Sequence, residues 1–316
     1  MKKAKIIIII INLAIIGFLI WFLWGLDYKK IGDLLAQSNK IYLVVGLLFF
    51  ALSLLFKITR FGAVTRYYGY KFSFSQTSFI QMVGIAIAMM TPGRLGEATK
   101  IYLLKQRQVP VLTGTALTIF ERVFDFLFLS LAGLFFALQF MKGSKLTWGF
   151  IALLVVMIGL LIVLRNLHWL TRFVPVRFRN IFENFTSVKA SGQKAQLIPL
   201  TLFTILTWST QAVLSWSVLA SLDVHVSPLA VLGVEAIGTL AAILSFLPLG
   251  IGAMDLSMLF LYSLLGVGNE PATIAVFISR TVGFLAPLLI ALIMTNVAGT
   301  SFKEIRAGLS QQKPSA

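Results

Sequence analysis

Apolar residues along this chain gather into runs of about 20 rather than alternating with polar ones at strand or surface-helix spacing. At about 1.5 Å of rise per residue, such a run crosses the roughly 30 Å hydrocarbon core of a bilayer. Six runs predict complete spans: 6–26, 41–60, 112–140, 147–164, 197–221 and 272–296. Two further stretches, 77–104 and 229–266, are broken near the middle, the first by Pro92, Gly93 and Gly96, the second by Pro248, Gly250 and Gly252. Proline removes a backbone donor and glycine loosens a helix, so each break frees polar backbone groups. Such backbone is tolerated at membrane depth only when protein buries it or it lines a wet cavity. The first broken stretch is too short for two spans and predicts a re-entrant helical hairpin. The second has room for a hairpin or for two short spans.

Composition agrees with this pattern. Of 316 residues, 58% are hydrophobic and 12% charged, about half the charge of a soluble domain. The fold class expected is an all-α polytopic membrane protein with six spans and two broken hairpins. The net charge of +16 does not call for nucleic acid, because cytoplasmic loops of membrane proteins are rich in Lys and Arg. With the N-terminus inside, the inner loops carry 19 Lys and Arg against 5 in the outer ones. That asymmetry predicts a multi-pass protein of the cell membrane with both termini cytoplasmic. Cysteine is absent, and His168 and His225 fall in predicted loops, so no metal site and no cofactor is expected. The N-terminal MKKAK and the run after it are longer than a signal peptide and lack a cleavage motif, predicting a retained span. Segment 165–196 reads either as an amphipathic interfacial helix or as a plain basic connector. Residues 301–316 read as a cytoplasmic tail ending in the polar, disordered GLSQQKPSA.

Charges inside the apolar stretches are costly and therefore informative. Glu97 and Arg122 lie 25 residues apart, as do Asp255 and Arg280, each acid after a Pro/Gly break and each arginine in the following span. The match predicts an internal repeat. Residues 1–300 would form one membrane domain of two half-repeats, 1–141 and 142–300. Three crossings per half would invert the second, bringing the hairpin tips together near the midplane.

The candidate transport residues are Arg94, Glu97, Glu121, Arg122, Asp125, Asp255 and Arg280. Arg94 and Glu97 are close enough in the tip TPGRLGEATK for Arg94 to hold a phosphate while Glu97 limits that contact. They would otherwise form an ion pair that closes the hairpin. Glu121 and Asp125 share a helix face, with Arg122 rotated about 100° away. Two acids on one face repel unless a cation or proton joins them. They predict either proton coupling or a static network with Arg122, Arg94 or Lys100. In the second half Ser279 and Gly283 replace that acid pair, and Glu235 lies in the preceding hairpin arm. Hydrolase, nucleotide and zinc-protease motifs are missing.

PGRLGE, then ERVFD, then PLGIGAMD resemble the lysylphosphatidylglycerol synthase transmembrane-region family, also called flippase-like, over roughly residues 5–300. The family includes the membrane half of bacterial multiple-peptide-resistance proteins, which moves aminoacylated phosphatidylglycerol across the bilayer while a separate soluble domain makes the lipid. The resemblance matches Pro92, Gly93, Arg94, Gly96 and Glu97 to its first motif, and Glu121, Arg122 and Asp125 to its second. The third usually reads nearer PGGxGxxE; here Leu249 replaces a glycine and Asp255 stands for Glu. The resemblance implies a lipid translocase for an anionic or zwitterionic head group, not an enzyme, with a homo-oligomer or a separate lipid-modifying enzyme as possible partner. An intramembrane enzyme using Glu121 and Asp125, and a proton-coupled solute carrier, are the alternatives.

Overall fold

The computed structural model describes residues 38–165 and 194–311 and positions 17, 33 and 36, with side chains at all of these except 164, 165, 194, 248 and 297–311. The expected span 6–26 and most of segment 165–196, His168 included, lie outside the described residues. Every regular element described is helical.

Helix α1, Lys40–Tyr67, starts where the Asn39 carboxamide accepts the Ile41 N–H at 3.1 Å. Helix α2, Phe74–Met90, is opened by a reciprocal capping box between Ser73 and Gln76. A tight turn, Pro92–Glu97, joins it to α3, Ala98–Lys105. Helix α4 covers Val111–Phe140, α5 Lys145–Arg165 and α6 Leu197–Ser221. Helix α7, Pro228–Leu244, leads through the turn Pro248–Gly250 to α8, Ala253–Leu264. Helix α9 covers Asn269–Gln311.

Five of these helices are long and apolar enough to cross a bilayer, namely α1, α4, α5, α6 and α9. They coincide with the five predicted spans within the described residues. Helix α1 outruns its predicted end at residue 60, and α9 continues to Gln311, into the stretch expected to be disordered. Extending an existing helix costs far less than starting one. Arms α7 and α8 have 17 and 12 residues, about 25 and 18 Å, and pack on each other. Neither reaches a full span, so the second broken stretch is a hairpin, like the first.

Helices α1 and α6 share the largest interface, and the hairpin arms pair reciprocally with the long helices of the other half. Hairpin arm α2 packs on α9, and its counterpart α7 packs on α4. The two tips touch, with Phe246 closing on Gly93. Helix α5 packs on α4, its Phe150 ring occupying the space that a side chain at Gly133 would need. Only 6% of the apolar window of α5 is buried. A face so apolar would aggregate in water but is matched to lipid.

Candidate functional site

The two hairpin tips share one backbone solution. In the first, Pro92 is followed by Gly93 and Arg94 at φ 56° and 58°; in the second, Pro248 is followed by Leu249 and Gly250 at 59° and 62°. Each tip thus spends two consecutive left-handed residues on its reversal, and only one of each pair is glycine. The other, Arg94 or Leu249, bears about 1–2 kcal/mol of strain. The Thr91 hydroxyl accepts the Gly96 N–H at 2.6 Å, locking the first tip. In the second, Asp255 accepts the Gly252 N–H at 2.9 Å.

Beside the first tip lies a buried network of three acids and three cations. Arg60 donates to Glu121 at 2.9 Å and to both oxygens of Asp125. Lys100, wholly buried on α3, donates to Glu121 at 2.8 Å. Arg122 lies 2.8 Å from Glu97, 2.9 Å from Asp125 and 3.5 Å from Glu121. Its contact with Glu97 is ionic, the Nε–H being misaligned for a hydrogen bond. Neutral donors complete the shell: Gln81 on Glu121 at 2.9 Å and the Trp208 indole on Asp125 at 2.8 Å.

The second tip is pinned by a single cation. Arg280 donates to Asp255 at 2.6 Å and to the carbonyl of left-handed Leu249 at 2.8 Å, with its guanidinium 4.8 Å from the Phe284 ring centre. The two pairs spaced 25 residues apart are therefore both ionic contacts. Arg94 does not join them. Among the described residues its guanidinium has no hydrogen bond and no salt bridge, so the alternative of an Arg94–Glu97 closure gives way to Glu97–Arg122.

Arg94 instead faces two adjoining cavities, of about 720 and 540 Å³ including open space, which share Phe50, Ala88, Met89, Arg94, Gln211 and Gly283. One reaches toward Lys57, Arg122 and Asp125, the other toward Ser215, Glu235 and Arg280. Lys57 donates to Gln211 at 2.7 Å and lies 5.7 Å from the Trp208 ring centre. It has no carboxylate partner among the described residues. Where the first half has Asp125, the second has Gly283, and a side chain there would meet open space. The cleft opens where the second half is poorer in charge. Among the described residues no group of acids and histidines could hold a metal.

Residues 9–291 match the protein family described as the lysylphosphatidylglycerol synthase TM region. The chain belongs to this family. A phosphatidylglycerol lysyltransferase of Staphylococcus aureus is 28% identical over 152 residues, 46% of this chain and 18% of that protein. A protein of the same name from Staphylococcus epidermidis is 29% identical over 96 residues, 30% of this chain and 11% of that one. The chain thus matches less than a fifth of the length of these relatives. Membership ties it to membrane-lipid function. The expectation of a protein that is not an enzyme is overturned, because the relatives bear the name of an enzyme, a lysyltransferase.

For this family member, sequence reasoning missed much of the network. Lys57, Arg60 and Lys100 were counted among 19 inner-loop cations, although Lys100 also stood as a candidate partner of Glu121 and Asp125; all three sit inside helices facing the core, which leaves 16 against 5. An apolar window stops at the first charge, whereas a helix continues past one that finds a partner. Gln81, Trp208, Gln211 and Ser215 carried no signal beyond being polar or aromatic in apolar surroundings. Lys57 and Arg60, three apart on one helix, were the available clue.

Proposed function

We propose that this protein is a membrane lipid translocase that moves a phospholipid with an anionic or zwitterionic head group across the cell membrane. Arg94 carries the reading. It is a guanidinium on strained backbone at the contact of two hairpin tips, with no counter-charge of its own, facing a cleft. A partly buried cation without a partner costs several kcal/mol, and an anion entering the cleft would offset that cost. Lys57 adds a second cation to the same space. Arg60, Lys100 and Arg122 are matched in number by Glu97, Glu121 and Asp125, so Lys57 and Arg94 are the surplus of two. A lipid phosphate suits this surplus, and a guanidinium can grip it with two parallel hydrogen bonds. Phosphatidylglycerol, named in the relatives, is an anionic phosphodiester of that class.

In this reading the acids and the other arginines are framework. Glu97 and Arg122 hold the first tip against α4, Glu121 and Asp125 tie α4 to α1 through Arg60, and Asp255 and Arg280 hold the second tip. Pro92, Gly93, Gly96, Pro248, Gly250 and Gly252 shape the reversals. Residues 1–300 act as one domain of inverted halves, 1–141 and 142–300, with both termini cytoplasmic. Shared tip backbone, reciprocal helix pairing and the Lys/Arg asymmetry support that arrangement.

The test is movement of head-group-labelled phosphatidylglycerol in proteoliposomes. Arg94→Gln with Lys57→Gln lowers the rate at least tenfold, about 1.4 kcal/mol, while the unfolding midpoint does not fall below the parent's, since two uncompensated charges are removed. Unchanged movement in this double variant would overturn the assignment.

A further inference from the structure

The acids near the first tip are saturated, each meeting at least one cation. Glu235 is different. It lies on α7, 5% exposed, and its hydrogen-bond partner is the hydroxyl of Ser215 on α6, itself fully buried. No Lys or Arg pairs with it among the described residues. Its side chain nevertheless lines the same cleft as Arg94 and Arg280. A carboxylate cut off from bulk water, with one neutral partner, is poorly stabilised as an anion. A hydroxyl serves a carboxylate as donor and a carboxylic acid as acceptor, so Ser215 suits either state without rearrangement.

The groups facing Glu235 from each neighbouring element are few. Helix α6 presents Ser215 and Gln211, and α8 presents Tyr262 together with Asp255, which is engaged by Arg280. Helix α9 contributes Arg280, already bonded to Asp255 and the Leu249 carbonyl, and α1 contributes Lys57, bonded to Gln211. The first tip supplies Arg94, and Glu97 which is held by Arg122. The second tip, Pro-Leu-Gly, has no titratable side chain. Helix α4 meets α7 where Phe136 covers Gly233, and Asp125, its nearest charged residue in sequence, lies about 16 Å farther along the helix.

We propose that Glu235 is a proton-binding site whose occupancy is linked to anion binding in the cleft. The proton arrives from water in the cleft and forms an O–H bond on the carboxylate, converting it to the neutral acid. An ionised Glu235 supplies counter-charge to the cleft and competes with a phosphate for its cations; a protonated Glu235 leaves them to the phosphate. Proton and anion therefore favour each other's binding, and the linkage is reciprocal. Lowering the pH strengthens anion binding, and anion binding draws a proton onto Glu235. The proton site stands on its own geometry, whereas its role in driving lipid across the membrane rests on the translocase reading.

Infrared difference spectroscopy of the full chain in phosphatidylcholine nanodiscs tests the site directly. The parent shows a protonated-carboxyl carbonyl band that titrates with pH, is lost in Glu235→Gln, and shifts in frequency in Ser215→Ala, where the hydroxyl is gone. A parent without such a band, or its persistence in Glu235→Gln, would sink the proton site. In proteoliposomes, reversing a pH gradient changes the parent's rate of labelled phosphatidylglycerol movement at least threefold, and Glu235→Gln is indifferent to the gradient. A parental gradient response retained in Glu235→Gln overturns the coupling. A parent that moves no labelled lipid refutes the translocase reading instead, and the infrared result still decides the proton site.

Discussion

Arg60 is 1% exposed and donates three hydrogen bonds to two buried carboxylates. Arg60→Met keeps much of the aliphatic stem but leaves Glu97, Glu121 and Asp125 facing only Lys100 and Arg122. Three charge-assisted hydrogen bonds are together worth about 5–9 kcal/mol before desolvation. Returning the guanidinium to water in the unfolded chain recovers several kcal/mol of that. The expected loss is therefore about 3–5 kcal/mol, the range found when one member of a buried ion pair is removed. Equilibrium unfolding in mixed detergent micelles measures it, followed by tryptophan fluorescence, since Trp208 donates to Asp125 within the network. Arg60→Met combined with Asp125→Asn restores charge balance and is more stable than the summed single losses predict by at least about 1.5 kcal/mol. A single variant within about 0.5 kcal/mol of the parent, or simple additivity in the double, would show that Arg60 is not the cation holding these acids together.

Three further outcomes follow from the same geometry. Arg94→Gly stabilises the fold by about 1 kcal/mol, because it relieves a left-handed φ of 58° at a side chain without a partner; a loss of stability in the same unfolding assay would refute this. Gly96→Ala costs about 1–3 kcal/mol, since a side chain there falls 2.6 Å from the Ile87 carbonyl carbon and 2.7 Å from the Thr91 hydroxyl oxygen; a neutral result would mean that the first tip is looser than described. Trp208→Phe removes the indole donor 2.8 Å from Asp125 and costs about 1.5–3 kcal/mol, read as a lowered thermal midpoint; an unshifted midpoint contradicts the bond.

The five spans in the described residues and both hairpin breaks were legible because hydropathy is a local property. A run of about 20 apolar residues crosses a bilayer whatever it later packs against. Pro92 with Gly93, and Pro248 with Gly250, announce reversals by the same local logic. The recurrence of an acid and an arginine 25 residues apart pointed to both pinned tips, because each pair belongs to one hairpin and the span after it. The end of α1 was misjudged for the converse reason. A scan treats Lys57 and Arg60 as water-facing, and only a partner elsewhere in the chain makes them compatible with burial.

Choice of partner was the part that tertiary structure decided. Arg60 meets acids 61 and 65 residues away, and Trp208 one 83 residues away. Glu97 turns to Arg122 on the next span rather than to Arg94 beside it, which leaves Arg94 for the cleft. Glu121 and Asp125 left two readings open in the sequence, a shared proton or a static network, and Arg60, Lys100 and Arg122 form the network around them, while Glu235 has only a hydroxyl. By itself the sequence determined which segments enter the membrane and where they turn back, since transfer from water to lipid is additive along a chain. Which charges are paired and which stay available was decided by the fold, because Coulomb interactions fall off with distance in space and take no account of distance in sequence.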